Sequence, residues 1–268
     1  MPKPMDLTSG YAISLPVFAG REEENGTFLI EGEVAGTAFS LGNEFMITAG
    51  HVVKNIDMSS PNCMILGLAK DASFKAARVV EAEPLDKDIA VLRVEFNVSG
   101  SDKWFRKFKW HDSAILPLQP IRTVGYAYGM HTVDDRKSVI VRGFQGYVVA
   151  RLPEFKPVGY TGDPFGVYEL SFAAPRGLSG APLMNVVGTV VIHGVIIGNS
   201  EAQMTVFRSE ERIKEIGKTI KVEQYEKYEA LTLGVAVTAR EIFSLKSNLL
   251  GASVRDHLEA NDLLTSAT

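Results

Sequence analysis

Three short segments of the chain carry residue types that together can perform acyl transfer. His51 follows an apolar run that ends in small residues, Asp88 stands directly before another apolar run, and Ser179 lies between Gly177 and Gly180. A serine hydroxyl is a weak nucleophile, and a neutral imidazole activates it by accepting its proton. A carboxylate holds that imidazole in the required tautomer. The three segments therefore predict catalysis by a serine nucleophile, with His51 as base and Asp88 as its orienting acid.

The glycines around Ser179 indicate how the reaction's negative charge is stabilised. Glycine adopts positive φ angles without a steric penalty, so this segment can form a tight turn with its backbone N–H groups pointing inward. We predict that the N–H groups of Gly177 and Ser179 form an oxyanion hole. Asp86 competes with Asp88 for the carboxylate role, but Asp88 adjoins the apolar run directly and is preferred.

The remaining histidines and the single cysteine indicate no second chemistry. His193 lies in an apolar run that is typical of a core histidine, and Cys63 lies in another that predicts an inert core position. The pair His111–Asp112 follows a Lys- and Trp-rich stretch and is interpreted as surface. His131 and His257 are expected to be exposed. No His, Cys, Asp and Glu spacing matches a set of metal ligands, so we expect neither a catalytic metal nor a cofactor.

Short β-rich segments separated by Gly, Pro, Asp and Asn must position these residues. Many short strands at close spacing favour a sandwich or a barrel. Residues 101–120 are polar, aromatic and then proline-rich, which predicts a crossing between two barrels. Helical spacing appears late, over residues 239–250 with Gly251 as C-cap, and a second short helix is expected within residues 252–264. The highly charged residues 208–229 predict a solvated surface loop or helix.

Composition narrows the possible partners and compartments. The chain has 268 residues, 46% of them hydrophobic, with a formal net charge of −4 and one cysteine. A mildly acidic chain does not favour nucleic acid or an anionic membrane surface as partner. No apolar stretch is long enough for a membrane span or a secretory signal. With no disulfide possible within the chain, we expect a cytoplasmic protein.

The catalytic segments resemble motifs of the trypsin/chymotrypsin superfamily, in the order that the family uses. The matching motifs are Thr48-Ala49-Gly50-His51, Asp88-Ile89-Ala90-Val91 and Gly177-Leu178-Ser179-Gly180. In addition, Gly194–Gly198 resembles the strand that lines the substrate cleft, and Leu233–Val237 resembles the last strand before the C-terminal helix. The disulfide-free HtrA-like peptidases are the most similar branch, without a PDZ-like segment, and viral 3C-like proteases are more distant.

The resemblance implies an all-β fold, a chymotrypsin-like double β-barrel with a C-terminal helix. Residues 1–110 would form the N-terminal barrel that carries His51 and Asp88. Residues 111–268 would form the C-terminal barrel that carries Ser179, followed by the helix.

The resemblance also implies the substrate-binding residues. Leu178 replaces the aspartate that pairs with a freed N-terminus in zymogen-type members, so activation by N-terminal cleavage is not expected. By position in the family, Ala173 forms the floor of the specificity pocket, and Ile196, Ile197 and Gly198 belong to the cleft strand. A pocket without charge favours small or medium aliphatic side chains at P1, the substrate residue before the cleaved bond.

These features together predict a serine endopeptidase that cleaves protein or peptide substrates through an acyl-enzyme. Two alternatives stay open on the same fold. One is a peptidase held latent by its own loops or by a partner, and the other is a non-catalytic peptide-binding module. A regulatory partner or a second copy of the chain in a homo-oligomer is the further partner that this reading allows.

Overall fold

The first β-barrel occupies the N-terminal half of the chain. The computed structural model describes residues 14–22, 28–54, 63–68, 74–96, 107–128, 130–133, 136–214 and 220–265. The elements of this half are β1 (Leu15–Glu22), β2 (Phe28–Gly42), β3 (Phe45–Ala49), α1 (Gly50–Lys54), β4 (Cys63–Leu68), β5 (Phe74–Pro84) and β6 (Ile89–Phe96). The strands pair in the closed order β1-β2-β3-β6-β5-β4, and closure removes free strand edges.

The pairing of β3 shows how burial selects this arrangement. Ile47 lies opposite Phe39 of β2 and Val91 of β6, and all three side chains are buried. Successive side chains of a strand point to opposite faces, so the continuous burial from Met46 to Ala49 means that both faces of β3 are covered. The Phe39 ring stacks on Trp110 at 5.6 Å between ring centroids, which joins this core to the second half of the chain.

The second half forms a curled seven-stranded sheet. Its strands are β7 (Lys109–Trp110), β8 (Pro120–Gly125), β11 (Arg142–Phe155), β12 (Phe165–Leu170), β13 (Pro182–Asn185), β14 (Val191–Lys214) and β15 (Ile220–Thr238), while β9 (Met130–Val133) and β10 (Arg136–Val139) form a separate hairpin. The order is β13-β8-β11-β12-β15-β14-β7, and an additional β13–β14 pairing brings the sheet back on itself. This confirms the expected all-β double barrel. The crossing expected over residues 101–120 falls partly outside the described residues, and its described part contributes β7.

The C-terminal segment corrects one prediction. Instead of one helix over residues 239–250, the structure has α2 (Ala239–Phe243), a small hairpin of β16 (Lys246–Ser247) and β17 (Ala252–Ser253), and then α3 (Val254–Ala260). The carboxylate of Glu83 in β5 accepts hydrogen bonds from the backbone N–H groups of Asn248 and Leu249. In a continuing helix these two backbone N–H groups would bind carbonyl groups of the helix itself. Because they bind Glu83 instead, the helix ends and the chain turns. Gly251 in this turn has a left-handed φ of 66°.

The charged segment over residues 208–229 was expected to be a surface loop or helix, and this expectation is wrong. It belongs to a long antiparallel ribbon in which β14 and β15 pair from Gly194↔Thr238 out to Lys214↔Ile220. Paired strands satisfy each other's backbone hydrogen bonds, so a strand can form where the sequence is highly charged. The helix interpretation rested on charge alone, which does not distinguish the two structures.

Among the described residues, no helix combines the length and apolar character that crossing a membrane requires.

Candidate functional site

His51 is presented by α1, which begins directly after β3. Val52 and Val53 anchor this short helix because both are buried, whereas the His51 side chain is 42% exposed. A residue larger than glycine at position 50 would be crowded, since a Cβ there would lie 3.0 Å from Asp88 Oδ1. The histidine therefore stands at the barrel surface, directly against Asp88.

Asp88 contacts His51 from a strained turn. Lys87 and Asp88 have left-handed φ angles of 61° and 55°, a conformation that is unfavourable for residues other than glycine. The Gly50 N–H donates to the Asp88 carbonyl at 2.6 Å. Asp88 Oδ1 accepts from the His51 backbone N–H at 2.8 Å, and Oδ2 lies 2.7 Å from His51 Nδ1. Asp86, the alternative carboxylate, is exposed, so Asp88 is the one that orients the ring.

Ser179 lies in a loop between β12 and β13 in which four consecutive carbonyl groups, those of residues 176–179, accept hydrogen bonds. The Arg176 oxygen accepts from Tyr128 N–H at 2.7 Å, Gly177 from Thr37 Oγ1 at 2.7 Å, Leu178 from Ala181 N–H at 3.0 Å, and Ser179 from Thr37 N–H at 2.8 Å. In a trans peptide the N–H points opposite to the preceding carbonyl. The N–H groups of Gly177 and Ser179 therefore point away from Tyr128 and Ala181, and within the described residues neither donates to a protein acceptor.

Two glycines make this loop conformation possible. Gly177 and Gly180 have φ angles of 90° and 89°, which side chains disfavour. A Cβ on Gly177 would lie 2.4 Å from the Tyr126 carbonyl oxygen, and one on Gly180 would lie 1.9 Å from the Thr37 carbonyl oxygen. Both positions thus need glycine for its conformation and for space, as the sequence predicted for a tight turn at Ser179.

Strand β2 brings the histidine and the serine together. A Cβ on Gly36 would lie 2.4 Å from Val52 Cγ2 and 2.9 Å from the Ser179 carbonyl oxygen, so α1 and the serine loop approach the same point. The next residue, Thr37, binds the loop through its N–H and its hydroxyl. The structure therefore places His51, Asp88 and the serine loop around one junction between the barrels.

A cleft of about 870 Å³ opens beside His51 and Asp88. Ile197 and Gly198 line it, together with Lys54, residues 155–160, residues 199–201 and Val235. Ile196 does not line this cleft, because it is fully buried in an apolar cluster with Leu178 and Ala181. Ala173 is exposed and also lies outside the lining of the cleft.

The cleft runs along a strand edge that is open to an extended peptide. β14 pairs with β13 only as far as Val195, and Ile196 then exchanges hydrogen bonds with Gly180 and Ala181. Beyond that point, no described strand pairs with residues 197–199 on the edge opposite β15. Gly198 has a φ of 148° next to a bulge, and beyond it β14 continues to pair with β15. An unpaired strand edge of this kind can accept a further strand by backbone hydrogen bonds.

The other histidines lie away from this junction. His193 is buried, as expected of a core histidine, and burial lowers its pKa. His257 was expected to be exposed, which is wrong: it is buried against Phe45, with ring centroids 5.4 Å apart, and burial lowers its pKa as well. The side chains of His131 and Cys63 lie outside the described residues. Over the part of the chain that the structure describes, no group of three His, Cys, Asp or Glu side chains could hold a metal ion.

Two supporting residues were missed by sequence reasoning. The Thr37 hydroxyl joins β2 to the serine loop, and the Tyr160 hydroxyl accepts a hydrogen bond from Lys87 N–H at 2.8 Å, beside Asp88. Both contacts join residues far apart in the sequence, and neither residue stands in a distinctive motif. Only a knowledge of how the barrels dock could have identified them.

A family model of the trypsin-like peptidase domain matches residues 36–191, more than half of the chain. This span contains His51, Asp88 and Ser179. No curated protein sequence matches the chain significantly.

Solved structures share the fold at low sequence identity. The HtrA-type protease AlgW, solved with a decapeptide, superposes with a TM-score of 0.51 and 12% identity over 95% of this chain and 67% of its own. The protease domain of MamO from Magnetospirillum magneticum, in its apo form, gives a TM-score of 0.50 and 17% identity over 88% of this chain and 96% of its own. At identities this low, the similarity shows a shared fold only.

Proposed function

Because the chain belongs to the trypsin-like peptidase family, we propose that it is a serine endopeptidase with His51, Asp88 and Ser179 as its catalytic triad. One observation carries the proposal. The Asp88 carboxylate binds both the backbone N–H and the Nδ1 atom of His51. This contact fixes the ring orientation and the tautomer, so that Nε2 is the nitrogen that accepts a proton.

The reaction would proceed through an acyl-enzyme. Ser179 Oγ attacks the carbonyl carbon of the scissile peptide bond as its proton passes to His51 Nε2. The tetrahedral intermediate collapses, the C–N bond breaks, and the imidazolium returns the proton to the leaving amine. Water then repeats the sequence on the acyl ester, which releases the acid and restores Ser179.

The serine loop supports the proposed oxyanion hole. Its carbonyl groups are turned to partners in the protein, and this keeps them from occupying the place of the oxyanion. The N–H groups of Gly177 and Ser179 are left as donors to the negative oxygen. In related chemistry, removing one such donor costs about 10²–10³ in kcat.

We propose that the substrate binds as an extended strand along Ile197 and Gly198, with an aliphatic P1 side chain. The serine loop packs on an apolar surface, because Leu178 and Ala181 lie in one buried cluster with Ile196. Burying a cationic side chain without a partner costs several kcal/mol, whereas an aliphatic one gains ~0.8 kcal/mol per buried methylene. The preference among Ala, Val and Leu at P1 should be modest, because one methylene group changes kcat/KM by about 10–200-fold.

A serine-directed fluorophosphonate probe tests the nucleophile. We expect the purified protein to be labelled at Ser179, and Ser179→Ala to lose both labelling and peptidase activity, with kcat reduced on the order of 10⁶-fold. Ser113→Ala is a matched control because Ser113 is exposed and lies outside the cleft. Near wild-type activity in Ser179→Ala would remove Ser179 from the mechanism.

The same probe separates the alternatives. Labelling only after a second protein is added would indicate a latent, partner-activated peptidase. No labelling under any condition would indicate a peptide-binding module.

Sequencing the cleavage sites in a peptide library tests the P1 proposal, and a dominant Lys, Arg, Asp or Glu preference would contradict it.

A further inference from the structure

The turn that carries Asp88 needs support from outside itself. Lys87 and Asp88 are consecutive non-glycine residues with left-handed φ angles. Such conformations persist where the surrounding structure holds them in place. Within the first barrel the turn is closed by the Leu85 N–H, which donates to the Ile89 carbonyl at 2.7 Å, by the Ile89 N–H, which donates to the Asp86 carbonyl at 3.3 Å, and by the Gly50 N–H, which donates to the Asp88 carbonyl. None of these three bonds is made by a backbone group of Lys87 itself.

The second half of the chain supplies that support. The Lys87 backbone N–H donates to the Tyr160 hydroxyl at 2.8 Å. The Lys87 ammonium binds Glu241 Oε2 at 2.6 Å and Ser244 Oγ at 3.0 Å, both in or beside α2. The backbone and the side chain of the residue before Asp88 are therefore both held by the opposite barrel and the C-terminal segment.

Tyr160 is itself held firmly in position. Its N–H donates to the Pro157 carbonyl at 3.1 Å, in a turn where Gly159 has a φ of 78°. Its ring meets Phe165 edge-on, with centroids 5.4 Å apart. A Cβ on Gly162 would lie 2.4 Å from the Tyr160 hydroxyl oxygen, so the glycine makes room for the phenol. These contacts place the hydroxyl where it meets Lys87.

We propose that Tyr160 is a positioning residue for Asp88, an inference that rests on the proposed triad. The Tyr160 hydroxyl holds the backbone of Lys87. Because Asp88 is the next residue, this contact keeps the Asp88 carboxylate aligned with His51 Nδ1. Catalysis depends on that alignment. Tyr160 also lines the cleft. The effects of its ring and of its hydroxyl group on the reaction can therefore be measured separately. The ring contributes to substrate binding and the hydroxyl to the rate of the chemical step.

Tyr160→Phe removes one oxygen and keeps the ring. We expect kcat to fall roughly two- to tenfold, the rate equivalent of one lost hydrogen bond, while KM stays within about twofold. The low-field proton NMR signal of His51 Nδ1–H should broaden, because the bond to Asp88 becomes less well ordered. Tyr147→Phe is the matched control, since Tyr147 is exposed and lies outside the cleft.

Gly162→Ala gives an independent perturbation, because the added methyl group displaces the same hydroxyl. If both changes act through this one contact, the double variant should be no slower than the slower single variant. An unchanged kcat and NMR signal in Tyr160→Phe, or equal losses in Tyr147→Phe, would overturn the proposal. Thermal unfolding of each variant shows whether a loss of folding accounts for a loss of rate.

The NMR measurement also separates this inference from the proposed function. If the wild-type protein shows neither peptidase activity nor fluorophosphonate labelling, alone or with a second protein added, the triad proposal fails. The dependence of the His51 Nδ1–H signal on Tyr160 would still show whether Tyr160 positions Asp88.

Discussion

Replacing Thr37 by valine should destabilise the fold and slow the proposed reaction together, because one hydroxyl supports both. Thr37 is fully buried in β2. Its Oγ1 donates to the Gly177 carbonyl at 2.7 Å and accepts from the Tyr126 N–H at 3.1 Å. Valine has nearly the same shape but no hydroxyl, so both hydrogen bonds are lost without a cavity.

The expected magnitude follows from these two bonds. Leaving a buried polar group without its partner costs about 1–3 kcal/mol, so the loss of both bonds in Thr37→Val should lower the free energy of unfolding by roughly 2–6 kcal/mol. Domains of this kind are stable by about 5–15 kcal/mol, so the variant should still fold. The released Gly177 carbonyl can rotate with its peptide, which would disturb the proposed oxyanion hole. We expect kcat to fall about ten- to hundredfold, below the limit for complete loss of a donor.

Thr123→Val is the matched control. Thr123 is also fully buried, but among the described residues its Oγ1 has no hydrogen-bond partner. The same substitution there removes an unsatisfied hydroxyl, and the free energy of unfolding should stay unchanged or rise by up to about 2 kcal/mol. Urea unfolding of both variants measures the difference. Equal losses in the two variants would refute the reasoning, and so would full activity in a destabilised Thr37→Val.

Further predictions concern pH and metals. Burial by itself raises the pKa of Glu83, but hydrogen bonds from the turn after β16 lower it overall. Ionised Glu83 therefore stabilises the fold above about pH 4.5, and this contribution is lost as the pH falls through the lowered pKa. In urea unfolding, Glu83→Gln should be less stable than wild type at pH 7, and the difference should shrink as the pH falls below 4.5. Burial lowers the pKa of His193, so the wild-type fold should lose stability below about pH 6.5, and His193→Gln should lose less between pH 7.5 and 5.5. Peptidase activity should be lost in acid, because only a neutral imidazole can accept the serine proton, and EDTA should have no effect; a flat pH profile or EDTA inhibition would contradict the mechanism.

The local features of the site could be read from the sequence because their causes are local. The backbone on each side of the serine segment needs a positive φ, at Gly177 and at Gly180. Glycine meets this need, so the requirement is visible in the sequence. The apolar run after Asp88 marks a strand for the same reason. The way in which the two barrels pack together produces no local sequence pattern. The contact between Tyr160 and Lys87 was therefore not predicted.

The errors have the same origin. Helical spacing over residues 239–250 was real, but the Glu83 carboxylate, far away in sequence, binds the donors at Asn248 and Leu249 and turns the chain. His257 was expected to be exposed, but Phe45 of the first barrel covers it. In both cases a tertiary contact outweighed the local pattern.

The two barrels hold each other's part of the site. The serine loop belongs to the second barrel, but Thr37 of the first barrel binds it through two hydrogen bonds. The Asp88 turn belongs to the first barrel, but Tyr160 and Glu241 hold it from the other side. Each barrel therefore supplies contacts that hold a functional loop of the other barrel. The geometry between His51 and Ser179 is therefore set by the docked interface, and substitutions that loosen this interface should lower activity before they unfold either barrel.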